Sequence, residues 1–128
     1  MPARPPRKPL MVYDGRCGFC RRWILRWKAI TGVTVRYASY QRVASRFPEI
    51  PRERFQQAVH LIEPDGRTTS GAAAVFRTLA VAGRYGWLWR LYGRLPGFAL
   101  AAEWVYRFVS RHRPEFDRLE RAFFLAGR

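Results

Sequence analysis

The chain has 128 residues, 48% of them apolar and 16% aromatic, enough for one domain with a core of its own. That composition excludes a disordered tail protein, and two cysteines exclude a disulfide-dense secreted scaffold. Lys and Arg number 24 against nine Asp and Glu, so the net charge is +15, with +8 over residues 1–36 and +5 over residues 84–113. Such a surplus attracts phosphate, whether of nucleic acid or of an anionic membrane surface. It equally fits a basic surface that is merely solvated. No helix-turn-helix, zinc-finger or aromatic-plus-basic RNA pattern is present, so nucleic acid is not an expected partner. No apolar stretch reaches the roughly 18 residues of a membrane span, and none of signal-peptide length follows the basic N-terminus. The expected location is the cytoplasm, with an anionic membrane surface as an accessory partner.

Residues 1–7 read as a flexible basic tail, interrupted by Pro2, Pro5 and Pro6. Lys8 to Tyr13 is an extended run that ends at the turn dipeptide Asp14-Gly15. From Gly18 to Thr31, Cys20, Trp23, Ile24, Trp27 and Ile30 recur at helical spacing, with Arg22, Arg26 and Lys28 off the stripe. Gly32 stops that helix. Val33 to Ala38 alternates like a strand, and residues 40–57 suit one or two short helices broken at Pro48 and Pro51. Ala58–Glu63 and Arg67–Ser70 flank Pro64-Asp65-Gly66, the signature of a hairpin.

Ser70 is placed to cap a helix faced by Ala72, Val75, Phe76, Leu79 and Ala82, with Gly83 as its stop. Tyr85 to Tyr92 is a short aromatic helix. Pro96-Gly97 opens a longer one with Phe98, Ala101, Ala102, Val105, Phe108, Val109 and His112 on its apolar face, and Glu103 paired with Arg107. Pro114 ends it, and Glu115 to Leu125 suits a further helix. Strands and helices in this order make an α/β or α+β domain with a small sheet.

Cys17-Gly18-Phe19-Cys20 stands where the turn meets the helix N-terminus. Unpaired backbone N–H groups and the positive end of the dipole stabilise a thiolate there, so Cys17 is expected to be more acidic than a free thiol. Arg16 and Arg21 push the same way. Cys20, one turn on, faces Trp23, Ile24 and Trp27 and is expected to be more buried. The pair has the spacing of an attacking and a resolving thiol in disulfide exchange. A zinc site would need two further ligands, and His60 and His112 are far apart, so no metal is expected. Both histidines fit structural places, one in a strand and one at a helix end. Asp14 can hold its own turn through backbone N–H groups, or accept the Cys20 proton during exchange; the sequence leaves both roles open.

Tyr13-Asp14-Gly15-Arg16-Cys17-Gly18-Phe19-Cys20 resembles the signature of the DCC thiol–disulfide oxidoreductase family. The similarity continues through Asp65-Gly66-Arg67, Gly71-Ala72-Ala73-Ala74-Val75, Leu95-Pro96-Gly97 and the block from Val105 to Arg113. The resemblance implies a thioredoxin-like fold for residues 8–128 and protein-disulfide oxidoreductase activity. Catalytic residues would be Cys17, Cys20 and Asp14, with no cofactor, and the partners disulfide-containing proteins or small thiols. The chain departs from thioredoxin in having Gly-Phe between its cysteines and no proline near Ala58, where thioredoxin-like proteins carry a cis-proline facing the disulfide. The reading from another class is a basic adaptor for membrane or nucleic acid, its thiols incidental.

Overall fold

Leu10, Met11, Val12 and Tyr13 form β1 (Leu10–Tyr13), and the first three are buried. Alternation along a strand sends successive side chains to opposite faces, so a strand buried throughout must be covered on both. The structure is a computed structural model that describes residues 6–116, 118 and 119. Of the expected N-terminal tail, residues 1–5 lie outside the described residues, as does most of the helix expected over Glu115–Leu125.

After β1 come α1 (Gly18–Thr31) and β2 (Arg36–Ser39), which lies parallel to β1 with Leu10 opposite Arg36. A short α2 (Tyr40–Val43), a 3-10 turn (Ala44–Arg46) and α3 (Arg52–Gln57) lead to β3 (His60–Ile62). β3 runs antiparallel to β1, and β4 (Thr68–Ser70) antiparallel to β3. The sheet order is β2-β1-β3-β4. α4 (Gly71–Val81), α5 (Gly86–Arg94) and α6 (Pro96–Arg111) complete the described helical elements. A mixed four-stranded sheet with a parallel β1–α1–β2 unit and an antiparallel β3–β4 hairpin is the thioredoxin-like α/β arrangement.

Each face of the sheet has its own core. Leu10, Val12 and Ile62 pack against Tyr40, Val43, Phe47 and Phe55 from α2, the 3-10 segment and α3. Met11 and Leu61, pointing the other way, pack against Ile24 of α1, Ala74 of α4, Val35 and Val59. Phe47, Phe55, Met11 and Leu61 are almost wholly excluded from water, each worth about 1.5–3 kcal/mol by transfer alone. Glu63 is buried as well, and Arg77 of α4 donates to it from Nε and Nη2 at 2.9–3.2 Å.

Five local expectations are corrected. The second strand begins at Arg36, not Val33: Gly32 ends α1 in a turn, and Val33 is 83% exposed beyond it. Ser70 makes no side-chain cap for α4. That role falls to Glu103 on α6, whose Oε1 accepts the Ala72 N–H at 2.8 Å while Oε2 accepts from the Tyr92 hydroxyl at 2.8 Å. Gly71 has φ +64, and a Cβ there would stand 2.8 Å from Glu103 Oε1, so the close approach requires glycine. The expected Glu103–Arg107 carboxylate pair is absent among the described contacts: Arg107 Nε reaches only the Glu103 carbonyl.

α6 is also rotated from the expected face. The rotation is small: of the expected face Phe98, Ala102, Val109 and His112 do turn inward, joined by Tyr106, while Ala101 is exposed, Val105 and Phe108 stay half exposed, and Leu100 and Trp104 are 69% and 64% exposed. Finally, α6 stops at Arg111 with His112 as its cap, and Pro114 lies inside a new helical turn over residues 113–116, where an early position tolerates its missing N–H.

Candidate active site

The turn between β1 and α1 is built around the Asp14 carboxylate. Its Oδ1 accepts the Arg16 N–H at 3.0 Å and the Gln41 side-chain amide at 2.8 Å, and Gln41 Oε1 in turn accepts the Gly15 N–H at 3.1 Å. A Cβ on Gly15 would lie 2.7 Å from Ser39 Cβ, so this turn is pressed against the end of β2. The structural role considered for Asp14 is therefore the one its Oδ1 fills. Oδ2 lies 4.0 Å from Nη1 of Arg113.

Cys17 caps α1. Its backbone is extended (φ −87, ψ 114), and its Sγ accepts the Cys20 N–H at 3.2 Å in the manner of a serine cap. The sulfur thus sits on an unpaired first-turn donor at the positive end of the helix. The Cys17 thiol is pushed down to about 6, first by the side-chain hydrogen bond from Cys20, with the Cys20 backbone N–H and the Arg113 guanidinium adding to it. Burial and the Asp14 carboxylate oppose the shift. Cys20 is pushed the opposite way, first by holding its proton toward Cys17 and then by burial.

Arg16 and Arg21, the cations expected to acidify Cys17, are exposed, and the one that acts is Arg113. Its Nη2 donates to the Gln57 carbonyl at 3.1 Å and to Ser110 Oγ at 2.9 Å, which fixes it beside the two thiols.

Cys20 lines one wall of a cleft of about 250 Å³ enclosed by α1, α4 and α6. Phe19, Trp23, Trp27, Val75, Phe76 and Tyr106 make most of it, and Arg113 closes one end. Trp23 and Trp27 share the cleft face of α1 with Cys20, as the spacing anticipates; Ile24 takes the buried place, and Trp23 keeps a water-facing edge over the cleft. Val59, the residue before β3, lines the cleft too, and its N–H donates to the Tyr106 hydroxyl at 2.9 Å.

Residues 11–119 match the family model described as DCC1-like thiol-disulfide oxidoreductase. The chain belongs to that family. It matches no curated protein and no solved structure.

In this DCC1-like chain, Asp14, Cys17 and Cys20 come together, as the sequence spacing anticipates. His60 and His112 do not join them. His60 is buried in β3, its Nδ1 3.0 Å from the Ala58 carbonyl and its ring 4.9 Å from Phe55, and burial lowers its pKa. His112 stacks on Phe108 at 4.4 Å at the end of α6. Sequence reasoning did not single out Arg113, Gln41 or Tyr106 as site residues, because each reaches the DCC1-like motif from a distant segment. The only signal was that Tyr106 and Arg113 fall inside a block resembling the family. No described helix is long and apolar enough to cross a membrane.

Proposed function

We propose that the chain exchanges disulfides with a protein or small-thiol partner through Cys17 and Cys20. The Cys17 thiolate attacks one sulfur of the substrate disulfide; that S–S bond breaks, and the departing sulfur leaves as a thiolate that takes a proton from solvent. Cys20 then loses its proton and attacks Cys17 Sγ, releasing the second substrate thiol. The substrate disulfide is reduced to two thiols, and the two cysteines are oxidised to one disulfide. Run backward, the same steps oxidise a dithiol.

The observation that carries this reading is geometric: Cys17 Sγ caps α1 and accepts the N–H of Cys20, one helical turn on, at 3.2 Å, an arrangement that pushes Cys17 down to about 6 and Cys20 up. A thiolate is available at neutral pH on the sulfur that caps the helix, and the other thiol is held protonated until needed. Asp14 serves here through Oδ2, the oxygen the turn leaves uncommitted, as acceptor for the Cys20 proton. The test is trapping. Cys20→Ser should give a stable mixed disulfide with a disulfide substrate at Cys17, and Cys17→Ser should give none. Equal insulin reduction by both serine variants and the wild type would refute the assignment.

A second reading concerns location. Trp87, Leu95, Leu100 and Trp104 are exposed on α5, α6 and the residue joining them, among Arg84, Arg90, Arg94, Arg107 and Arg111. Aromatic and aliphatic side chains ringed by arginine favour adhesion to an anionic bilayer from the cytoplasmic side.

A further inference from the structure

The geometry points to a binding site for an anionic amphiphile beside the thiols: a small thiol or disulfide with an apolar body and a carboxylate- or phosphate-like group. This rests on the exchange reading and names its substrate class.

Two recesses adjoin at Ser110 and Arg113, the residue whose charge acts on both thiols. The first is the cleft of about 250 Å³ walled by aromatic and aliphatic side chains, with Cys20 on its surface. An apolar cavity of about 150 Å³ is enough to take up a benzene ring, so a cleft of about 250 Å³ suits a short apolar body. The second, of about 430 Å³, is lined by Arg107, Arg111, Arg113, Ser110, Gln56 and Gln57. Ser110 and Arg113 line both, so the apolar cleft and the basic recess adjoin along that wall. Among the described residues lining either, none is acidic. Glu103, the acidic residue nearest along α6, is turned away to cap α4. An occupant with its apolar part against Trp23 and Trp27 can set an anionic group against the arginines, within reach of the sulfurs.

The chain segment beside the cleft disfavours a polypeptide. An extended peptide docks by exchanging main-chain hydrogen bonds with an exposed strand or loop. Here the Ala58 N–H donates to the Arg54 carbonyl at 3.1 Å, and the Val59 N–H to the Tyr106 hydroxyl at 2.9 Å. The Ala58 carbonyl meets His60 Nδ1 at 3.0 Å, and the Val59 carbonyl accepts from the Gly71 N–H at 3.0 Å. Both donors are occupied and both acceptors engaged. A peptide laid here would desolvate its own backbone without replacement bonds. Recognition falls to apolar burial and charge.

Octanoate, octanol and octylamine share one chain and differ in head group. Titrated below their micelle thresholds into a Cys17→Ser/Cys20→Ser chain, they should quench or shift tryptophan emission in a saturable way. Octanoate should bind at least about tenfold more tightly than octanol, the difference one charge-assisted hydrogen bond supplies, and octylamine most weakly. The exposed Arg111→Ala should weaken octanoate about tenfold and leave octanol unchanged, and Val105→Arg, also at an exposed position, should weaken both. Trp23→Phe should remove most of the signal. Octanol or octylamine matching octanoate would overturn the proposal. So would an uncharged apolar peptide amide binding where octanoate does not.

The kinetic arm uses the oxidised wild-type chain. Dihydrolipoate passes two electrons to the Cys17–Cys20 disulfide, becoming lipoate while both cysteines return to thiols. It should act about tenfold faster than the neutral dihydrolipoamide, whose dithiol is the same; equal rates would overturn the substrate class. If the double-serine chain binds octanoate yet the wild type exchanges no disulfide at all, the exchange reading fails and the binding site stands.

Discussion

Arg113 Nη1 lies 4.0 Å from Asp14 Oδ2, and through that approach the segment after α6 meets the turn that carries Cys17. Arg113 lowers the pKa of both thiols and Asp14 raises it, so the pair sets the acidity of the site by opposition. Removing the cation should move the alkylation midpoint of Cys17 upward; removing the carboxylate charge should move it downward. Arg113→Ala and Asp14→Asn, followed by the rate of iodoacetamide reaction against pH, test the two signs separately. Arg113→Lys should fall between the wild type and alanine. A shift of the same sign in Arg113→Ala and Asp14→Asn would contradict this electrostatic account.

The wild-type chain, reduced, should show one fast cysteine whose reaction rises through a midpoint near pH 6, mapped to Cys17. Cys20→Ala deletes the side-chain hydrogen bond that lowers Cys17 most, so the midpoint should climb toward that of an ordinary thiol while the backbone N–H keeps it below. A folded pKa below the unfolded one also adds stability, present above the unfolded value and lost as pH falls through about 6. The stability of the reduced wild type relative to Cys17→Ser should therefore grow from pH 6 to about pH 8.5. Cys20 stays protonated in the folded state and begins to ionise only in the unfolded chain near pH 8.5, in both proteins alike, so it cancels to first order in the comparison. Urea melts of the two reduced chains at three pH values would measure it.

Tyr106 holds Val59 in place from across the cleft. Tyr106→Phe leaves the buried Val59 N–H without its acceptor and should cost about 1–3 kcal/mol in denaturant unfolding. Phe55→Ala, which empties a fully buried position under the sheet, should cost more, about 3–5 kcal/mol. If the order were reversed, the loop before β3 would be the weaker joint of the molecule and the core assignment wrong.

Vesicle sedimentation at two salt concentrations tests adhesion. The chain should pellet with anionic vesicles at low salt, release as salt screens the arginines, and ignore neutral vesicles at low salt. Trp104→Ser should weaken the pelleting without changing disulfide exchange. Equal recovery from anionic and neutral vesicles would leave the charge of +15 as solvation alone.

Local chemistry was legible where one segment decides its own shape. The stripe from Cys20 to Ile30 sets α1 at the observed limits, and Pro64-Asp65-Gly66 sets the hairpin, with Gly66 at φ +90. The position of Cys17 at a helix start follows from the same reasoning. What the sequence hid depends on partners distant in the chain. Ser70 looks like a cap, but Glu103 supplies that bond from another helix. The spacing of α6 places Phe98, Ala102 and Val109 on the inner face, as observed, but also Val105 and Phe108, which stay half exposed because the Tyr106 hydroxyl, needed by Val59, takes the inward place. Arg16 and Arg21 sit next to the cysteines in sequence and point to water, while Arg113 is adjacent only after folding.

That last separation bears on synthesis. During translation the two cysteines emerge long before Arg113, and domains are made from the N-terminus at a pace slow against local folding. A nascent chain can wind α1 and gain the helix-end part of the Cys17 shift, but the Arg113 guanidinium arrives only after α6 has been made. The thiol gains the Arg113 share of its acidity only once the sheet and α6 have closed around the site, so the folded domain attacks a passing disulfide faster than the nascent chain does.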